Sequence, residues 1–224
     1  MARSSVEPPR DEAELVLRAR SLEGMSVDAL ASRLRVALGG PAVRTKGKVG
    51  ELLERALGAT AGNTKQPDFP ELGVELKTIP VRPDGRPRES TFVSAFALAD
   101  VDTMEWETSS VRRKLARVLW VPIVQDDASR TIGRVVLWSP SPDDEASLRG
   151  DFDELIGRIA IGGIEGLSAR DGEVLQIRPK AADGTRRATA LGPEGERIPS
   201  VPLGFYLRAR FTERLLRSTP SDRA

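Results

Sequence analysis

The chain reads as a mixed α and β protein in which helices and strands do not alternate as regular βαβ units. Three observations predict this. Apolar residues recur at helical spacing through the first 58 positions. The period then switches to alternation over Gly73–Ile79 and again over Thr91–Leu98, which is the pattern of strands. Late in the chain, Ser141-Pro142-Asp143-Asp144-Glu145 is a strong helix start. It has a capping serine, proline at the first helical position and acids in the first turn.

Taken in order, residues 11–23 predict a helix, with Ala13, Leu15, Val16, Ala19 and Leu22 near one face and Gly24 as the stop. A second helix follows Ser26 as N-cap and carries Leu30, Leu34 and Leu38, ended by Gly39-Gly40-Pro41. A third covers residues 48–58, with Leu52, Leu53, Ala56 and Leu57. The two alternating strands are joined by a turn over Val81–Arg88, where prolines and Gly85 interrupt the pattern. Glu107–Lys114 reads as helix and leads into the apolar run Val118–Val124, a buried strand. Val135–Trp138 is another strand, and the helix from Ser141 runs to Ala160. Strands over Val174–Arg178 and Phe205–Arg210, then a short helix over Phe211–Arg217, complete the chain. The Gly-, Pro- and charge-rich residues 181–200 read as a long surface loop.

Composition removes whole classes of chemistry. The 224 residues contain no Cys and no His. That excludes a disulfide framework, Cys/His zinc sites and every mechanism with a histidine base. Any bound metal must be held by oxygens, which points to Mg²⁺, Mn²⁺ or Ca²⁺. Met1–Arg10 lacks a signal-peptide core and no run is apolar enough to span a bilayer, so a cytoplasmic protein is expected. The formal net charge is +1, but it is unevenly placed. Residues 141–173 carry nine acids and three arginines, whereas residues 174–224 carry ten bases and five acids. A basic C-terminal segment suits a polyanion partner, and equally a solvated surface. Only six of the 34 basic residues are lysines: Lys46, Lys48, Lys65, Lys77, Lys114 and Lys180. In an arginine-dominated chain each lysine is a candidate for a place where a compact ammonium is needed.

The chemistry concentrates in Asp68-Phe-Pro-Glu-Leu-Gly-Val-Glu75-Leu-Lys77. On a strand, Glu75 and Lys77 share one face, and Asp68 in the preceding turn can fold back toward it. Two converging carboxylates, with the Leu76 backbone carbonyl, suit a hard divalent cation. A lysine beside them can orient a water or stabilise charge on a phosphate. Such parts suffice for metal-assisted phosphodiester hydrolysis without histidine. The alternative reading is a solvated strand face with a Glu–Lys pair and an unrelated aspartate.

This stretch, through Thr78-Ile-Pro, closely resembles the MutH family of mismatch-repair nicking endonucleases. Further blocks follow in the family's order: Gly50-Glu-Leu-Leu-Glu54, Ser90-Thr-Phe-Val, Trp106 to Pro122, Val136-Leu-Trp-Ser-Pro, Leu175-Gln-Ile-Arg-Pro-Lys-Ala and Gly204-Phe-Tyr-Leu. The resemblance implies a restriction-endonuclease-like fold of two arms forming a DNA cleft. It implies a nuclease domain over 8–218, with a metal-bearing arm over 8–105, a base-reading arm over 106–218, and tails at 1–7 and 219–224. It further implies Mg²⁺-dependent nicking, with Mn²⁺ able to substitute, of the unmethylated strand at hemimethylated GATC sites. The partners implied are double-stranded DNA, MutL as activator and, indirectly, MutS; the protein itself is expected to be a monomer.

By match to the family motifs, Asp68, Glu75 and Lys77 are catalytic, Asp68, Glu75 and the Leu76 carbonyl bind metal, and Glu54 adds an acid. Lys114 becomes an active-site or phosphate lysine, its alternative being a surface charge on its helix. Lys46, Gly47 and Lys48 fall on a DNA-contacting loop, where Thr45 replaces the family's aspartate. Arg178, Pro179 and Lys180 end a strand where an arginine can read guanine, their alternative being a solvated strand end. Tyr206 resembles the family residue that senses the adenine N6 position, its alternative being a core tyrosine. Phe92 matches one that inserts against bases, its alternative being a strand-core phenylalanine. Two other readings stay open: a GATC-specific restriction-type enzyme making double-strand breaks, and an inactive DNA-binding module. Room for only one active site favours nicking over the first, and an intact Asp68, Glu75 and Lys77 argue against the second.

Overall fold

The computed structural model describes residues 6–38, 42–62, 66–126, 129–162, 167–168, 170–179, 188–191, 197–200 and 203–217, with side chains left out at 42–46, 162, 188–191 and 197–200. These residues form two compact units, and the division is not a single cut near residue 105. One unit takes its residues from 1–88, 116–139 and 215–224; the other takes them from 89–115 and 140–214.

The first unit begins with α1 (Glu12–Arg20) and α2 (Val27–Arg33), then α3 (Ala42–Leu57). Asp11 caps α1 by accepting from the Glu14 N–H at 2.8 Å, and Ser26 caps α2 by accepting from the Ala29 N–H at 3.1 Å. The helices pack with a sheet in which β1 (Glu75–Val81) runs parallel to β3 (Val118–Gln125). β3 in turn pairs antiparallel with β4 (Arg130–Ile132) and with β5 (Val136–Trp138). Leu15, Leu30, Leu52, Leu53 and Leu57 from the helices meet Val74, Leu76, Leu119 and Ile132 in one apolar core. A parallel pair needs a crossover; here the chain between β1 and β3 passes through the start of the second unit.

That unit holds a three-stranded antiparallel sheet in the order β2 (Thr91–Phe96), β9 (Leu203–Leu207), β6 (Leu175–Pro179). One face is core. Phe205 stacks on Phe152 of α5 (Pro142–Gly162) at 5.3 Å and contacts Phe96 at 4.9 Å, while Trp106 meets Phe152 edge-on at 5.5 Å. The buried Asp151 of α5 fixes the entry to β6. Its carboxylate accepts from the Glu173, Val174 and Leu175 N–H groups at 2.9, 2.6 and 2.7 Å. α4 (Ser110–Leu115) and the shared α6 (Ala209–Arg217) complete the helices.

Three sequence expectations are corrected. α2 ends at Arg33 rather than reaching Leu38, because Leu34 leaves helical geometry and Arg35 turns left-handed at φ +54°. α3 begins at Ala42, so Thr45, Lys46 and Gly47 belong to a helix and not to a loop. A helical glycine costs about 1 kcal/mol relative to alanine, and the buried stripe Val49, Leu52, Leu53, Leu57 offsets it. Within 181–200, residues Ala188–Leu191 and Arg197–Ser200 pair as strands β7 and β8. Strands of four residues, one of them containing Pro199, leave almost no alternation to read.

Candidate active site

The site in the first unit is assembled by a tight reversal between α3 and β1. After α3, the Thr60 N–H donates to the Asp68 carbonyl at 3.1 Å, tying the helix exit to the turn. Phe69 and Val74 then exchange backbone hydrogen bonds at 2.9 and 3.2 Å around a 3-10 turn over Pro70–Leu72. Gly73 closes that turn at φ +64°, a backbone conformation that favours glycine.

The reversal brings Asp68 back onto β1. Its Oδ2 accepts from the Leu76 N–H at 2.8 Å. The Glu75 N–H donates to the Arg117 carbonyl, next to β3, so Glu75 and Lys77 bond toward β3 and Leu76 faces the opposite edge. On a strand the N–H and C=O of one residue point the same way. The Leu76 carbonyl therefore faces the edge that Asp68 occupies.

Glu75 and Lys77 project together from one face. Lys77 Nζ donates to Glu75 Oε1 at 3.1 Å, and their side chains are only 8 % and 5 % exposed respectively. The burial decides against a solvated strand face. A buried ion pair contributes little stability relative to apolar side chains of the same size. A buried charged pair on the strand that Asp68 grips is a candidate for function rather than a source of stability.

The other residues of the first unit fall less closely. Glu54 is half-buried on α3, with Oε1 3.9 Å from the position a side chain on Gly50 would take. Among the described residues no three acidic side chains gather in a metal-sized cluster, so Glu54 does not join Asp68 and Glu75 in one. Gly47 is exposed and Lys48 half-buried on α3; the side chain of Lys46 lies outside the described residues. Two carboxylates and a carbonyl nevertheless suit Mg²⁺, which keeps several waters and takes one or two protein carboxylates.

In the second unit, strand register sorts the remaining residues. Phe92 and Gln176 both lie opposite Tyr206, and Arg178 lies opposite Gly204. Directly opposed residues share a face, so these five occupy the face turned away from Phe205 and the aromatic core. Phe92 meets Tyr206 edge-on at 5.4 Å, and is a half-buried residue of this face rather than of the core. Gly204 makes that contact possible, since a side chain there would begin 2.9 Å from the Phe92 ring. The Arg178 guanidinium carbon is 6.0 Å from the Tyr206 ring centroid. Burial pushes the Tyr206 hydroxyl above its ordinary pKa, with Arg178 opposing and Glu89 adding to the shift. Pro179 is exposed at the end of β6, and Lys180 lies outside the described residues. Lys114 is half-buried on α4 of this unit.

Gln176 is absent from the candidate residues that the sequence offers. It is 4 % exposed, and its Oε1 accepts from Arg178 Nε at 3.1 Å. The same-face rule that couples Glu75 to Lys77 would have found it, two residues before Arg178.

Comparison with known proteins agrees with the motif blocks. A family model described as DNA mismatch repair enzyme MutH matches residues 57–151. The DNA mismatch repair protein MutH of Serratia proteamaculans is 46% identical over 213 residues, 93% of each chain. That of Histophilus somni is 45% identical over 217 residues, 95% of this chain and 97% of its own. That of Salmonella paratyphi B is 47% identical over 213 residues, 93% of this chain and 92% of its own.

Proposed function

The chain belongs to the MutH family, and from that premise we propose that it is a DNA mismatch-repair endonuclease that nicks the unmethylated strand at hemimethylated GATC sites. The observation that carries the chemistry is the buried Lys77–Glu75 pair on the strand whose edge Asp68 grips. Full-length similarity to MutH proteins supports the mismatch-repair setting, with double-stranded DNA as substrate, MutL as activator and MutS acting upstream through it.

Asp68 and Glu75, with the Leu76 carbonyl, would hold Mg²⁺. When bound, such an ion polarises the phosphate and makes its water more acidic. Asp68 is held in register by the Leu76 N–H, so its carboxylate does not need to be ordered when DNA arrives. Lys77 holds a fixed positive charge beside Glu75, placed to hydrogen-bond a phosphate oxygen or orient the attacking water. With no histidine in the chain, Lys77 is the cation of this motif that can work at close range to the scissile bond. The face of Phe92, Tyr206 and Arg178 serves base readout: the guanidinium toward guanine, the tyrosine toward the adenine edge. Lys114, Lys46, Gly47, Lys48, Pro179 and Lys180 are assigned to phosphate and DNA-backbone contacts, and Glu54 to an auxiliary acidic role. No helix among the described residues is long and apolar enough to cross a membrane, and action in the cytoplasm is part of the proposal.

The test is cleavage of supercoiled plasmid carrying unmethylated, hemimethylated or fully methylated GATC, with Mg²⁺ and with or without MutL. Open-circular product that depends on metal and disappears on full methylation is expected. Linear product as the first species would mean paired-strand cutting, and no cleavage with either Mg²⁺ or Mn²⁺ would overturn the proposal.

A further inference from the structure

We infer that Gln176 is a positioning residue for sequence readout, acting by fixing the Arg178 guanidinium for an end-on approach to a base. The inference rests on the proposed role of Arg178 as the guanine reader. Arg178 is exposed, whereas Gln176 is buried to 4 % and lies on the same strand face two residues earlier. The guanidinium Nε–H can only donate, so the amide oxygen of Gln176 faces it, at 3.1 Å. A guanidinium has five N–H donors and can present a fork either through its two Nη groups or through Nε and one Nη. Gln176 occupies Nε. The side-on fork is thereby removed and the end-on Nη pair is left, which matches the two acceptors on the guanine major-groove edge.

The surroundings hold this choice in place. Gln176 stands directly opposite Tyr206, whose ring lies 6.0 Å from the Arg178 guanidinium carbon and borders the same face. Asp151 pins the beginning of β6 through three backbone N–H groups, so the strand that carries both residues is anchored immediately before Gln176. An exposed arginine otherwise loses much rotamer freedom on docking, and fixing it beforehand lowers that loss.

The measurement is the ratio of nicking rates on a GATC duplex and on a duplex with its guanine pair replaced, for wild type, Gln176→Met, Gln176→Glu, Arg178→Ala and the double variant Gln176→Met with Arg178→Ala. Methionine keeps chain length and removes the acceptor; glutamate keeps an oxygen for Nε. Gln176→Met should lower the ratio roughly fivefold to tenfold, within the range of one bidentate base contact. Gln176→Glu should restore it to about twofold of wild type, as a retained charge-assisted acceptor would. In the Arg178→Ala background Gln176→Met should change the ratio no further. Equal losses for methionine and glutamate, or a lower rate on both duplexes with an unchanged ratio, would show that Gln176 only fills space. If Arg178→Ala leaves the ratio intact, the guanine-reading role of Arg178 fails first. If Arg178→Ala lowers it and Gln176→Met does not, the positioning role alone is refuted.

Discussion

Replacing Lys77 with methionine separates the two things this lysine does. At 3.1 Å, the Lys77–Glu75 attraction is about 5 kcal/mol for an effective dielectric of about 20. Desolvation of both groups offsets most of that, so removing the pair together is close to neutral. Removing only Lys77 is different, because the Glu75 carboxylate keeps its desolvation penalty and loses its counter-charge. Breaking one side of a buried pair costs about 3–5 kcal/mol. Lys77→Met should therefore lower the urea midpoint by about 1–3 M, read by tryptophan fluorescence from Trp120 and Trp138, both buried in the same unit. Adding Glu75→Gln to Lys77→Met should recover most of the stability and none of the nicking. Lys77→Arg keeps the charge, costs about 1–3 kcal/mol through crowding, and should nick far more slowly because a planar guanidinium cannot place the same point charge. A Lys77→Met protein within about 1 kcal/mol of wild type, nicking plasmid at a normal rate, would refute the reading of this pair as a buried catalytic element.

Asp68→Asn retains an oxygen for the Leu76 N–H and should fold normally and shift a GATC duplex in a gel, yet fail to nick it; normal nicking would remove Asp68 from the site. Tyr206→Ser deletes the ring that meets Phe92 at 5.4 Å; residual cleavage should survive while the rate ratio between unmethylated and fully methylated duplexes collapses, and an unchanged ratio would make the residue structural. Asp151→Ala strands three backbone N–H groups and should destabilise the protein by about 3–5 kcal/mol, given about 1–3 kcal/mol for each unsatisfied group and incomplete additivity. A stability loss in urea of under about 1 kcal/mol would show that this clamp relaxes without consequence.

Local chemistry was legible where it is local. The cap at Ser26 stands where the helix-start signal puts it, and Ser141 forms reciprocal bonds with Asp144 at the start of α5. The strands over Glu75–Val81, Thr91–Phe96 and Val118–Gln125 follow the alternation and the apolar run. Boundaries failed where tertiary packing overrides propensity: α3 extends through Gly47 because its apolar stripe is buried, whatever the glycine prefers. β4, at three residues, is too short for any period to show. The parallel pairing of β1 with β3 joins segments some forty residues apart, about the length of a crossover unit, and no local pattern encodes it.

At the site, the period of two was enough to put Glu75 and Lys77 on one face, and the hydrogen bond between them follows from it. Their burial was not readable, since the period of two sorts side chains between faces and does not say what packs over a face. Nor was the grip of Asp68 on Leu76, which requires the left-handed Gly73 and the Phe69–Val74 backbone exchange. The same period holds on β6, where Gln176 and Arg178 stand in the same i, i+2 relation as Glu75 and Lys77. Two strands, one in each compact unit, thus use one device, in which a buried side chain takes one hydrogen-bonding group of a cationic neighbour and restricts what that neighbour can offer. On β1 both partners are buried, and breaking the pair should be felt as stability. On β6 the cation is exposed, and breaking the pair should be felt as lost discrimination with the fold intact. Lys77→Met and Gln176→Met therefore make opposite demands on the same physical rule, one read in urea and the other in the ratio of nicking rates.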